Sequence, residues 1–68
     1  MNKTQQALES IREAVDMGHK RIAPAFYTFM FGRAATSAAF RMAKQAGLIE
    51  VAYKSAAGTP VYKPGPAA

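Results

Sequence analysis

The side chains with the chemistry for catalysis are few and far apart. The chain has one histidine, His19, no cysteine, and four carboxylates, Glu9, Glu13, Asp16 and Glu50. A serine nucleophile needs a base within hydrogen-bond reach, and that base needs a third group to orient it. His19 stands beside Lys20 with no adjacent acid to play that part. Glu9 and Glu13 share one helix face at a four-residue spacing, but it is also the face that solvent would occupy. A single imidazole among scattered carboxylates does not make a zinc ligand set. Gly18, Gly32, Gly47 and Gly58 are isolated, so no glycine-rich phosphate loop is present. These features predict no catalytic residue, no metal and no cofactor, and no small-molecule ligand is evident.

What the chain has in quantity is positive charge, and it is unevenly placed. Up to His19, Lys3 and Arg12 face Glu9, Glu13 and Asp16, a net charge of −1. From Lys20 onward, Lys20, Arg21, Arg33, Arg41, Lys44, Lys54 and Lys63 face Glu50 alone, a net charge of +6. A cationic body behind a near-neutral first segment points to an anionic partner, most economically a phosphate backbone, although basic residues also serve solubility. The longest apolar run, around Ala34 to Phe40, is broken by Thr36 and Ser37 and is far too short to cross a bilayer. Met1 to Ser10 is polar and lacks a secretory pattern. A soluble cytoplasmic protein with no membrane partner is expected, in bacterial terms one of the cytoplasm or nucleoid. With 68 residues and no disulfide, stability must come from a compact helical core, self-association or a bound partner.

The elements that must position these charges follow from periodicity and punctuation. Asn2 or Thr4 can cap a first helix, and Gln5 stands three residues after Asn2, the spacing of a capping box. Ala7, Leu8, Ile11, Ala14 and Val15 recur at three- and four-residue steps and form one buried stripe. Glu9, Arg12, Glu13 and Asp16 occupy the other face, with Arg12 and Asp16 spaced for an ion pair. Gly18 ends the helix, and Met17 lies at the stripe's edge, suited to the core or to pairing two copies. His19 to Ala23 is a turn and a brief extended piece. Pro24 suits a first helical position, and Ala25 to Phe31 makes a short helix with Phe26, Phe29 and Met30 on one side and Tyr27 and Phe31 partly outside, although the same residues would suit a strand.

A third helix runs from Ala34 to Ala46, with Thr36 or Ser37 as its cap. Its inward row is Ala39, Phe40 and Ala43, continuing to Leu48 and Ile49 beyond Gly47, while Arg41, Lys44 and Gln45 are left outside. Leu48 to Lys54 alternates as a strand, Ser55 to Gly58 turns, and Thr59 to Lys63 returns. Pro60 restricts that return strand to an edge or to a place where its nitrogen needs no partner. Residues 64–68 form a flexible tail behind a single domain of residues 1–63.

This order of elements, and the run Ala39-Phe40-x-x-Ala43-x-x-x-Gly47-Leu48-Ile49-Glu50, resembles the winged helix-turn-helix DNA-binding regulators. The run is similar to the end of that family's recognition helix, where Ala-Leu-x-x-Leu-x-x-x-Gly-Leu-Ile is common. Gly58-Thr59-Pro60-Val61-Tyr62 resembles the tip and return strand of a wing. The likeness spans Thr4 to Lys63 and departs from the family at Ala43, where a large residue is usual. It implies a mainly α fold with a small β-hairpin (α+β), three helices followed by a two-stranded wing.

The resemblance also implies roles. A recognition helix presents its N-terminal half to base edges in the major groove. Arg33 and Arg41 could each fork onto a guanine, Ala38 could meet a thymine methyl, and Ser37 could take a base or phosphate, or simply cap. Lys44 would reach a phosphate; Arg41 and Lys44 equally suit a solvated face. In the hairpin, Lys54, Ser55, Thr59 and Lys63 could reach a minor groove or the flanking backbone, or the lysines could serve only to guard an edge strand. Tyr27 and Thr28 could bond phosphates, although Tyr27 better suits a boundary or core position. The expected function is sequence-specific binding of double-stranded DNA by a small repressor or autoregulator that occupies an operator, of the kind plasmids, phages or bacterial operons carry. A homodimer on a palindrome, or cooperative binding to repeats, would supply enough base contacts. Two alternatives remain: an architectural, excisionase-like accessory factor, and a protein-interaction module built on the same scaffold.

Overall fold

The computed structural model describes residues 2–67. It contains three helices, α1 (Lys3–Asp16), α2 (Pro24–Phe31) and α3 (Arg33–Gln45), followed by two antiparallel strands, β1 (Ile49–Lys54) and β2 (Pro60–Pro64). Among these residues no helix is long and apolar enough to cross a membrane.

Helix α1 begins on a full capping box. Asn2 Oδ1 accepts from the Gln5 amide at 2.8 Å, and Gln5 Oε1 accepts from the Asn2 amide at 3.3 Å. Two of the amides that a helix start leaves without partners are thereby satisfied. The far ends of α1 and α3 close in the same way. Gly18 and His19 donate back to Val15 and Ala14, and Gly47 and Leu48 donate back to Lys44 and Ala43. Both pairs have the hydrogen-bond pattern of a Schellman motif. The expected Arg12–Asp16 pair does not form; the ion pair among the described residues is Lys63 with Glu50.

Between α2 and α3 stands one residue, Gly32, at φ +88° and ψ 161°. A side chain is strained in that conformation, so glycine lets α3 start immediately, at Arg33 rather than Ala34. Neither Thr36 nor Ser37 caps the helix, since each lies inside its first turns. Of the helix pairs, α1 and α3 share the most extensive interface. Ala7 and Ala14 of α1 and Ala39 and Ala43 of α3 all lie in the core, and small side chains let two helix backbones approach closely. Ile11, Ile22 and Ile49 are its largest fully buried side chains, each worth about 1.5–3 kcal/mol of burial.

The hairpin is tied to the helices by a third extended piece. Ile22 and Tyr62 exchange backbone hydrogen bonds at 2.8 and 2.9 Å, so β2 lies between β1 and this bridge. Pro60 begins the strand, where its missing amide costs no ladder bond, so the second of the two placements foreseen for it is the one adopted. Ala52 forms a bulge between the Val51–Tyr62 and Tyr53–Val61 pairs. Within the segment expected to be a flexible tail, Gly65 donates to Leu48 and Ala67 to Gly47, at 2.8 and 2.9 Å; Ala68 lies outside the described residues. A side chain at Gly65 would collide with the Gly47 carbonyl, so a glycine is needed for this close return.

The largest departure from expectation is the rotation of α2. Tyr27 is buried and Phe31 is half-buried against the core, while Phe26, Phe29 and Met30 face outward. Every residue from Pro24 to Phe31 is uncharged and most are apolar, so the pattern offers no polar side to mark the surface. The rings settle it. Tyr27 meets Phe40 of α3 edge-on at 5.2 Å, Phe31 stacks on Tyr27 at 6.5 Å, and Phe40 contacts Tyr62 of β2 at 5.2 Å. Three helices followed by a two-stranded hairpin make this an α+β chain with a winged-helix-like layout.

Candidate nucleic-acid interface

Helix α3 turns its buried side, Ala35, Thr36, Ala39, Phe40 and Ala43, to the core. Its outer side carries Arg33, Ser37, Arg41 and Lys44, all exposed. At steps of four, four and three residues they fall within about 80° of the helix circumference and make one continuous ridge. No acidic residue occurs anywhere in α3.

Along this ridge runs an open groove of about 440 Å³, bounded by three elements. Ser37, Arg41 and Lys44 form the α3 wall, Pro24 and Thr28 the α2 wall, and Thr59, Pro60 and Tyr62 the hairpin wall. Phe40 and Thr36 also line it. Five of the residues singled out from the sequence, Thr28, Ser37, Arg41, Lys44 and Thr59, therefore meet at one concavity. Its polar rim is cationic or hydroxylic, and no carboxylate lines it. An arginine fork, an ammonium and several hydroxyls on one strip can bind anionic oxygens and donate to acceptors on base edges.

The remaining candidates lie elsewhere. Arg33 extends the ridge beyond the groove, at the N-terminal end of α3. Ala38 is half-buried and lies off the ridge. Lys54 is exposed at the end of β1. Ser55 is engaged in its own turn: Ser55 Oγ accepts from the Thr59 amide at 3.3 Å, and the Ser55 backbone closes the tip with Gly58 and Thr59. Lys63 Nζ lies 3.5 Å from Glu50 Oε1 across the strands, which offsets its charge locally. Tyr27 belongs to the core and is not on the groove; burial raises its phenol above the usual value of 10.0, because the charged phenolate is disfavoured away from water.

Sequence reasoning missed the apolar floor. Pro24 of α2, Phe40 of α3, and Pro60 and Tyr62 of β2 come from three separate stretches, and only the fold brings them together. It also offered Thr36, with Ser37, as a possible cap, whereas the Thr36 side chain is 3% exposed and its Oγ1 is buried without a hydrogen-bond partner among the described residues. No three His, Asp or Glu side chains among the described residues group so as to hold a metal ion. Set against known proteins, the chain matches no family model, no curated protein and no solved structure.

Proposed function

We propose that this chain binds double-stranded DNA in a sequence-specific way and acts as a small transcriptional regulator by occupying an operator, as a homodimer. One observation carries the reading: the outer ridge of α3, the start of α2 and the hairpin bound a single acid-free groove with Arg41 and Lys44 on its rim. A helix that enters a major groove needs a cationic outer side, with neighbouring elements placed to follow the phosphates. The acids of α1 support the same orientation. Glu9, Glu13 and Asp16 are exposed on the first helix, and none of them lines the groove. The reading implies a cytoplasmic or nucleoid location, where the DNA is.

The test is selection of bound duplexes from a random pool, followed by fluorescence anisotropy at several salt concentrations. A symmetric consensus is expected, with affinity falling as salt rises. Arg41→Ala should weaken the selected duplex about five- to hundredfold and relax its specificity, whereas Lys44→Ala should weaken all duplexes alike and lower the salt slope by about one. Absence of salt-dependent binding to any duplex at about 50 mM salt overturns the reading. A bending assay on the selected duplex separates operator occupancy from an architectural role.

A further inference from the structure

Helix α2 has a second exposed side that the groove does not use. Phe29 is 91% exposed, Phe26 61% and Met30 50%. By the 100° step of a helix they point nearly opposite to Pro24 and Thr28, which line the groove. Beside them, between the end of α1 and the start of α2, lies a mostly apolar hollow of about 390 Å³. Met17, 72% exposed, and Phe26 form its walls, and Ile22 lies in its floor. Its rim carries Glu13 from α1 and Arg21 from the connector, and neither is in an ion pair among the described residues.

We propose that this surface pairs two copies of the chain about a two-fold axis, with Phe29 of each copy seated in the α1–α2 hollow of the other. The surface carries both halves of such a contact. A protruding ring and a hollow lie side by side on one face, and so do an unpaired acid and an unpaired base. In a two-fold contact each residue meets its complement twice, so a patch that holds knob and hole, and plus and minus, is complementary to itself. Glu13 of one copy then faces Arg21 of the other at the rim, around an aromatic centre that excludes water. The size is feasible. A standard interface covers about 800 Å² per partner, under a fifth of the 4501 Å² surface of this chain. Both cationic ridges stay uncovered, because the pairing side of α2 is turned away from the groove. The contact gives the two-copy part of the proposed function its surface, but it is tested without DNA, so either can fail alone.

The experiment is sedimentation equilibrium of the full chain in the absence of DNA, with circular dichroism as a check of folding. The wild type is expected to be a concentration-dependent dimer with no larger species. Phe29→Glu, at a site that contributes little to the monomer core, should keep the helical spectrum and weaken dimerisation at least about thirtyfold. Glu13→Arg and Arg21→Glu should each weaken it, and the two together should restore it. A wild type that stays monomeric at about 1 mM overturns the proposal. So does open-ended growth, which indicates a head-to-tail contact, or a dimer that survives Phe29→Glu.

Discussion

Helices α2 and α3 are separated by one residue and share one ring cluster, yet they expose opposite kinds of surface. The outer side of α3 is a cationic ridge, whereas that of α2 carries Phe26, Phe29 and Met30. On their inner sides the two helices meet through Tyr27 and Phe40. The difference teaches that an outward face need not be a solvated one. A ridge of arginine and lysine is stable in water and is informative only because the groove and the hairpin stand beside it. An apolar helix side gains nothing from water, so its exposure calls for a partner.

The comparison rests on the shared rings, and removing their centre should have the largest effect. Phe40 touches Tyr27 on one side and Tyr62 on the other. Phe40→Ala is expected to cost about 3–5 kcal/mol, a large part of what a domain this small can hold. Urea unfolding should show the transition collapsing toward zero denaturant, with α2 and the hairpin loosening together. A drop of less than about 1 kcal/mol would mean that the two helices are held together by something other than these rings.

A smaller change tests the inner side of α3. Thr36 buries a hydroxyl with no partner, and such a group costs about 1–3 kcal/mol. Thr36→Val keeps the shape and removes that cost, so the midpoint of unfolding should rise by an amount equivalent to about 1 kcal/mol. If stability falls instead, the hydroxyl has a bonding role that matters to the fold.

The smallest effect is expected at alkaline pH. The Tyr27 phenol is raised by burial above 10.0. Between that value and its folded-state value the unfolded chain has lost the proton and the folded chain has kept it, so stability falls as pH rises. Below the unfolded value the contribution is present in full. Thermal melts should therefore decline less steeply above about pH 10 in Tyr27→Phe than in the wild type. Identical slopes would place the hydroxyl in water and return Tyr27 to the surface that the sequence allowed it.

Much of the scaffold was legible before any coordinates. The α1 stripe, the inward row Ala39, Phe40 and Ala43, and the hairpin each follow from a short-range pattern. Ser37, Arg41 and Lys44 of the groove were also legible, because a polar side chain outside a marked apolar row has to face outward, whereas Thr28 and Thr59 followed only from the resemblance. The side that α2 turns inward and the placement of Thr36 were not. Tyr27 lies in a helix with no polar side to mark its surface, and Thr36 looks like a cap until the helix is seen to start three residues earlier, at Arg33.

What residues 2–67 decided by themselves are the features closed within a few residues. The Asn2–Gln5 box, the ends at Gly18 and Gly47, the proline start of α2 and the glycine break at Gly32 depend on bonds and backbone angles that the local chain supplies. What only the tertiary structure decided are the features whose partners are distant in sequence. These are the inward turn of Tyr27 onto Phe40, the bridge from Ile22 to Tyr62, and the return of Gly65 and Ala67 to Leu48 and Gly47. A helix that is apolar all round can bury either side at nearly equal gain, so the choice falls to whichever side meets a complementary wall.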